Sequence, residues 1–141
     1  MDNIKKFKII NKELKRLYPT IKIALNFSNV WELLVATILS AQTTDKKVNE
    51  ITFKLFRKYR SIGDYAKAKL NEFEKDIFGV NYHKTKAKAI IEDVKILQDK
   101  FSGKVPKTME ELLTLKNVAR KSANIVLSIG FNINEGFAVD T

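Results

Sequence analysis

The chain has 141 residues and a formal net charge of +10, a length that fits one domain and a charge that raises its concentration near polyanions, with nucleic acid the first candidate and an anionic membrane surface the second. It has no cysteine and a single histidine, His83, which excludes disulfides, thiolate zinc sites and iron–sulfur ligation within these residues, together with any histidine-rich metal site. The longest apolar stretches, such as Val30–Leu39, contain Glu32 and are too short to span a bilayer, and Met1–Lys6 lacks a signal-peptide core, so a cytoplasmic location is expected.

The pattern predicts helices almost throughout. Ile4, Phe7, Ile10, Leu14 and Leu17 recur at three- and four-residue spacing among lysines, an amphipathic helix stopped at Pro19. Asn29 with Glu32 resembles a capping box opening a second helix, Val30 to about Ser40. That helix is apolar nearly all round and belongs in the middle of a bundle. Thr44 or Asp45 can cap a third, with Val48, Ile51, Leu55 and Phe56 as its buried stripe. Ser61 and Asp64 start a short fourth, and another short helix follows around Leu70–Phe78 until Gly79 breaks it.

Ala87, Ile90, Ile91, Val94 and Leu97 mark a long helix ending near Phe101. After the Gly103–Pro106 loop, Thr108 and Glu111 cap a short helix through Leu115. A tight turn over Lys116–Ala119 leads to a last helix, Arg120 to about Ile129, closed by Gly130, and the tail Phe137–Thr141 reads as extended. No strand pair is evident. The expectation is an all-α bundle of short helices, stabilised mainly by packing.

Four segments can carry chemistry. In Leu112–Asn124 a helix, a tight turn and a second helix follow one another, so backbone N–H groups at a helix start are offered to a phosphate, with Arg120 and Lys121 adding charge. An ordinary helical hairpin with a solvated basic start fits the same pattern. Lys121 lies in the first turn, beside Arg120 and at the positive end of the dipole, where a second positive charge is disfavoured and an amine nucleophile is favoured; a plain surface lysine fits the same position. Asp140, after an extended apolar stretch, suits a helix cap or a base that stabilises developing positive charge. Ile38–Asp45 is a polar joint whose Gln42 and Thr44 could enter a DNA groove, or simply form a capped loop. In Asn81–Lys88 aromatic and basic residues interleave: Tyr82 could wedge between bases while Lys84 and Lys86 hold phosphates, or the face could be merely solvated. Trp31 reads as core.

The order of these segments is more specific than any one of them. Leu33–Asp45 is similar to an "LSAQ-x-TD" segment, Gly103–Pro106 to a glycine-x-valine-proline lead-in, Leu115–Leu127 to a hairpin with its following helix, and Val139-Asp140-Thr141 to a valine-aspartate-threonine motif. From about Val30 to Thr141 the chain resembles the endonuclease III family of DNA glycosylases, within the helix-hairpin-helix superfamily, and the interval from Lys121 to Asp140 matches as well.

The resemblance implies a helix-hairpin-helix glycosylase fold. Residues 29–137 would form a helical barrel with the helix-hairpin-helix at 109–129. Residues 1–28 would be an N-terminal helix and linker of a second, cluster-bearing domain, and 138–141 the start of the catalytic-aspartate segment. It further implies Lys121 as catalytic lysine, Asp140 as catalytic aspartate, and Gln42 filling the space of an extruded base. Tyr82 falls near a wedge position, and Lys116, Asn117, Val118, Ala119 and Arg120 fall on a phosphate-binding hairpin. The implied partner is duplex DNA carrying a damaged base, an oxidised pyrimidine by family analogy, or an abasic site. The protein is expected to act near the nucleoid as a monomer. Other superfamily members, acting on uracil or thymine mismatches or on adenine, and a non-catalytic DNA-binding module are the alternatives; membrane-surface binding ranks last.

Two departures stand out. The family's hairpin usually reads leucine-proline-glycine-valine-glycine, whereas this one is Leu115-Lys116-Asn117-Val118-Ala119. Asn is the best non-glycine residue for a left-handed backbone, so Asn117 is expected to keep the turn. Family members also continue beyond this aspartate into further helices and usually a four-cysteine 4Fe-4S site. The chain therefore reads as a fragment, ahead of the alternative of a naturally truncated homologue, with no cofactor within it and with activity expected far below that of an extended form.

Overall fold

The computed structural model describes residues 24–132. The amphipathic helix expected over Ile4–Leu17, the tail Phe137–Thr141 and Asp140 within it lie outside these residues.

The described residues form seven α-helices and one π-helical segment. In chain order these are α1 (Val30–Ser40), α2 (Asp45–Lys58), α3 (Ile62–Ala66), α4 (Leu70–Asp76), α5 (His83–Lys100), α6 (Met109–Leu112) and α7 (Arg120–Ile125), continued by the π segment Val126–Gly130. Among the described residues no strand forms, as expected, and no helix is long and apolar enough to cross a membrane.

Helix α1 is the axis of the bundle. Every residue from Trp31 to Leu39 is buried, and α1 packs against α2, α5, α7 and the π segment. Its sequence, apolar all round, allows no other place. The side chain of Asn29 caps it by accepting the Glu32 N–H at 2.8 Å. The capping box is only half as expected: the Glu32 carboxylate reaches back to the Ser28 N–H and hydroxyl, at 2.9 and 2.7 Å, rather than to Asn29. Thr44 caps α2 and Ser61 caps α3.

The long helix reaches back further than its apolar pattern, to His83, because Tyr82 accepts the Lys86 N–H through its carbonyl and starts the turn. Helix α6 is shorter than expected. It stops at Leu112 instead of running through Leu115, since the Thr114 and Leu115 N–H groups bond three residues back and tighten the end. Helices α2 and α4 are tied at the surface, where Lys58 pairs with Glu72 at 2.7 Å and Asp76 at 2.9 Å. The Tyr59 hydroxyl donates to Asp76 at 2.6 Å. Trp31, 6% exposed, stacks edge-on with Tyr65 in the core, as expected.

Candidate nucleic-acid interface

The hairpin between α6 and α7 is built around residues of opposite character. Val118 turns its side chain into the core at 7% exposure, in the same cluster as Leu115 and Ala123, while Lys116, Asn117, Ala119, Arg120 and Lys121 are exposed. Asn117 adopts the left-handed backbone expected of it, with φ of 59°. Ala119 is the N-cap of α7 and offers no side-chain hydrogen bond. The first-turn N–H groups of α7 therefore have no side-chain cap, which is the state a phosphate requires. Val118 can contribute to such a site only through its backbone. Arg120 and Lys121 occupy the first two helical positions, with their side chains exposed. Lys116 is anchored from below: its N–H donates to the Asp93 carboxylate at 2.5 Å.

A second cluster forms where the joint after α1 meets the start of α5. Gln42 and Tyr82, from segments about forty residues apart in sequence, both hold left-handed backbones, with φ of 57° and 58°. Asn81 links them: its side-chain amide donates to the Gln42 carbonyl and its N–H to the Thr43 hydroxyl, the latter at 2.9 Å. The side chains of Gln42 and Tyr82 remain in solvent, Tyr82 at 64% exposure. Thr44 is exposed, with its hydroxyl oxygen spent on the Lys47 N–H. Lys84 is exposed at the first turn of α5.

Lys86 corrects the sequence reading. Expected to hold a phosphate, it is 3% exposed and points inward. Its ammonium donates to the Leu39 carbonyl at 2.9 Å, to the Ala41 carbonyl at 2.5 Å and to the Thr43 hydroxyl at 3.3 Å. Burial pushes its pKa below the ordinary lysine value. The lysine thus caps the carbonyl end of α1, where a positive charge is favoured by the dipole. The residue two positions from Lys84 on a helix turns to a different face, and here that face is covered.

Sequence reasoning missed Phe78, which is 73% exposed beside the His83 ring at 5.2 Å between centroids. An apolar ring just before Gly79 was the available signal. Asn81 reads in the sequence only as part of a basic-aromatic run, although an asparagine ahead of a helix start is itself a turn signal.

Asp140 lies outside the described residues, and the structure gives it no distance to Lys121. Among the described residues no group of three His, Cys, Asp or Glu side chains could hold a metal ion. The 141 residues contain no cysteine, so they do not fit a 4Fe-4S cluster, which needs thiolate ligands.

The family model described as "HhH-GPD superfamily base excision DNA repair protein" matches residues 35–141. The chain is 44% identical over 128 residues to endonuclease III of Synechocystis sp., covering 91% of this chain and 58% of that protein. It is 38% identical over 141 residues to endonuclease III of Bacillus subtilis, covering 64% of that protein. Among solved structures it is similar to a trapped endonuclease III–DNA covalent intermediate, with a TM-score of 0.78, 38% identity, and coverage of 94% of this chain and 62% of that one. A thermostable thymine-DNA glycosylase, at 23% identity and a TM-score of 0.75, shares the fold. The chain therefore spans about 60% of the length of these relatives. With the family model covering residues 35–141 and a basic, uncapped hairpin between two of its helices, the chain belongs to the HhH-GPD superfamily of base excision DNA repair proteins.

Proposed function

We propose that the chain carries the DNA-binding barrel and the nucleophile of an endonuclease III-type DNA glycosylase with abasic-site lyase activity. The observation that supports this best is Lys121: an exposed amine at the second position of a helix, behind an uncapped hairpin, in a chain 44% identical to an endonuclease III.

The target base must leave the stack before it can be attacked. The α7 N–H groups, Arg120, Lys116 and Lys84 grip the backbone, and Gln42 and Tyr82, on segments tied together by Asn81, fill and wedge the opened duplex. Lys121, as the free amine, attacks the sugar C1′. The C1′–N bond breaks with its electron pair leaving on the base, which takes up a proton. Ring opening gives the lysine Schiff base, a C2′ proton is lost, and the 3′ phosphate departs by β-elimination. Asp140 is assigned the roles of drawing the proton from Lys121 and offsetting positive charge at the sugar. No step uses an iron–sulfur cluster. Damaged pyrimidines are the proposed substrate class, with the protein acting as a monomer on chromosomal DNA.

Borohydride trapping on a duplex with one abasic site tests the reading. The wild-type chain is expected to give a covalent adduct that Lys121→Ala abolishes while duplex binding persists. An adduct of equal yield in Lys121→Ala would remove the lysine from its role. Absence of any wild-type adduct, with salt-sensitive binding intact, would leave only a DNA-binding module.

A further inference from the structure

Asp93 is a buried ionisable group for which the proposed chemistry has no use. It lies within α5 with no exposed surface. One carboxylate oxygen accepts the Lys116 N–H at 2.5 Å, across 23 residues of chain. The other has no hydrogen-bond partner among the described residues. A carboxylate in such a place is costly, and an apolar side chain of similar volume would avoid that cost. What an apolar residue cannot supply is an acceptor for the N–H of a turn. The hairpin pattern that this chain resembles has proline at that position, with no N–H to satisfy. Lys116 has one, and it stands immediately before the left-handed Asn117.

We propose that Asp93 is a positioning residue for the hairpin, its carboxyl oxygen holding the Lys116 N–H so that the turn through Asn117 aims the open N–H groups of α7 at a phosphate. The proposal rests on the reading of the hairpin as the phosphate-binding element. Asp93 and Lys116 form a matched pair: the N–H that Lys116 introduces is taken up by the acceptor that α5 provides. The dependence is directional. Without the acceptor the turn N–H is left unsatisfied and the turn loosens; without the N–H the acceptor has nothing to hold.

Three variants separate this from a general packing role: Asp93→Asn, Asp93→Leu, and Asp93→Leu with Lys116→Pro, the last compared with Lys116→Ala, which lacks the same cation but keeps the N–H that Asp93 accepts. Two measurements are made on each, amide hydrogen exchange at residue 116 where an N–H exists, and fluorescence anisotropy with a duplex carrying a tetrahydrofuran abasic analogue. The Lys116 amide is expected to be protected in wild type and in Asp93→Asn, whose amide oxygen can still accept, and to exchange freely in Asp93→Leu. Duplex affinity should fall about tenfold in Asp93→Leu with helical content unchanged. Adding Lys116→Pro should bring it to within about threefold of Lys116→Ala, which lacks the same cation, since no N–H remains to be held. Should Asp93→Leu fail to fold, a folded, duplex-binding double variant carries the same support. An unprotected Lys116 amide in wild type, wild-type affinity in Asp93→Leu, or a double variant still about tenfold weaker than Lys116→Ala would each overturn the proposal. If the wild-type chain does not bind the duplex at all, the phosphate-binding reading fails, and the exchange data alone decide whether Asp93 holds the turn.

Discussion

Asn117 holds the hairpin at a φ of 59°, a conformation that costs an ordinary L residue roughly 1–2 kcal/mol. Asn tolerates it because its short polar side chain can hydrogen-bond locally, and glycine, with no Cβ, would tolerate it better. Asn117→Gly is therefore expected to leave urea stability within about 0.5 kcal/mol of wild type, whereas Asn117→Val should lose roughly 1–2 kcal/mol. Equal midpoints for the two variants would show that the turn does not depend on this backbone state. Asp93 gives a pH-dependent prediction. Burial raises its carboxyl from 3.8 to about 7, with Glu92 beside it adding to the rise and the N–H and charge of Lys116 opposing it. A carboxyl with a raised folded pKa binds its proton more tightly in the folded state, so its contribution is fully present below pH 3.8 and is lost as pH rises through about 7. Between these limits the wild type should lose up to roughly 4 kcal/mol relative to Asp93→Asn, less any relaxation around the charge. Denaturant midpoints at pH 4 and pH 8 measure it. Parallel pH profiles for the two proteins would show that Asp93 titrates normally.

At the scale of elements, the end of α1 and the start of α5 behave as one unit. Lys86 crosses between them with three donors, and Asn81 adds two more bonds. Lys86→Met keeps the length of the stem but leaves the Leu39 and Ala41 carbonyls without their donor, a loss of roughly 1–3 kcal/mol. Thermal unfolding should show it, and an unchanged midpoint would mean that water replaces the ammonium at no cost. This unit also marks where the sequence stops being informative. The burial of α1 was legible because its residues are apolar on all sides, and the caps at Asn29, Thr44, Ser61 and Thr108 because each has a hydroxyl or amide one residue before the helix. The left-handed turn at Asn117 was legible for the same local reason. Lys86 was not. Lys84, Lys86 and Lys88 alternate along one stretch, and nothing in their spacing says that the middle one turns toward the carbonyls of a helix more than forty residues earlier. The Asp93–Lys116 bond is likewise set by packing between α5 and the hairpin, a tertiary relation that local pattern does not encode.

For the whole molecule, the formal charge of +10 makes attraction to DNA expected but does not say which lysines meet phosphates. Salt dependence does. Each phosphate neutralised releases counterions, so log K falls with log salt at a slope of about −0.9 per neutralised phosphate. Removing one phosphate-binding cation by mutation lowers that slope by about one. Lys84, Lys116 and Arg120 are exposed around the candidate interface, whereas Lys86 is buried with its donors engaged. Substituting each exposed cation by alanine should weaken duplex binding and flatten the slope by about one. Lys86→Met should flatten it hardly at all, even where it weakens binding, because its effect passes through the shape of the Gln42 turn rather than through charge. Anisotropy titrations of an abasic-analogue duplex from about 50 to 200 mM salt provide the comparison. A slope change for Lys86→Met as large as that for Lys84→Ala would mean that the ammonium leaves its carbonyls and meets the DNA. Unchanged slopes for all three exposed cations would move the binding face away from the hairpin and the start of α5 altogether.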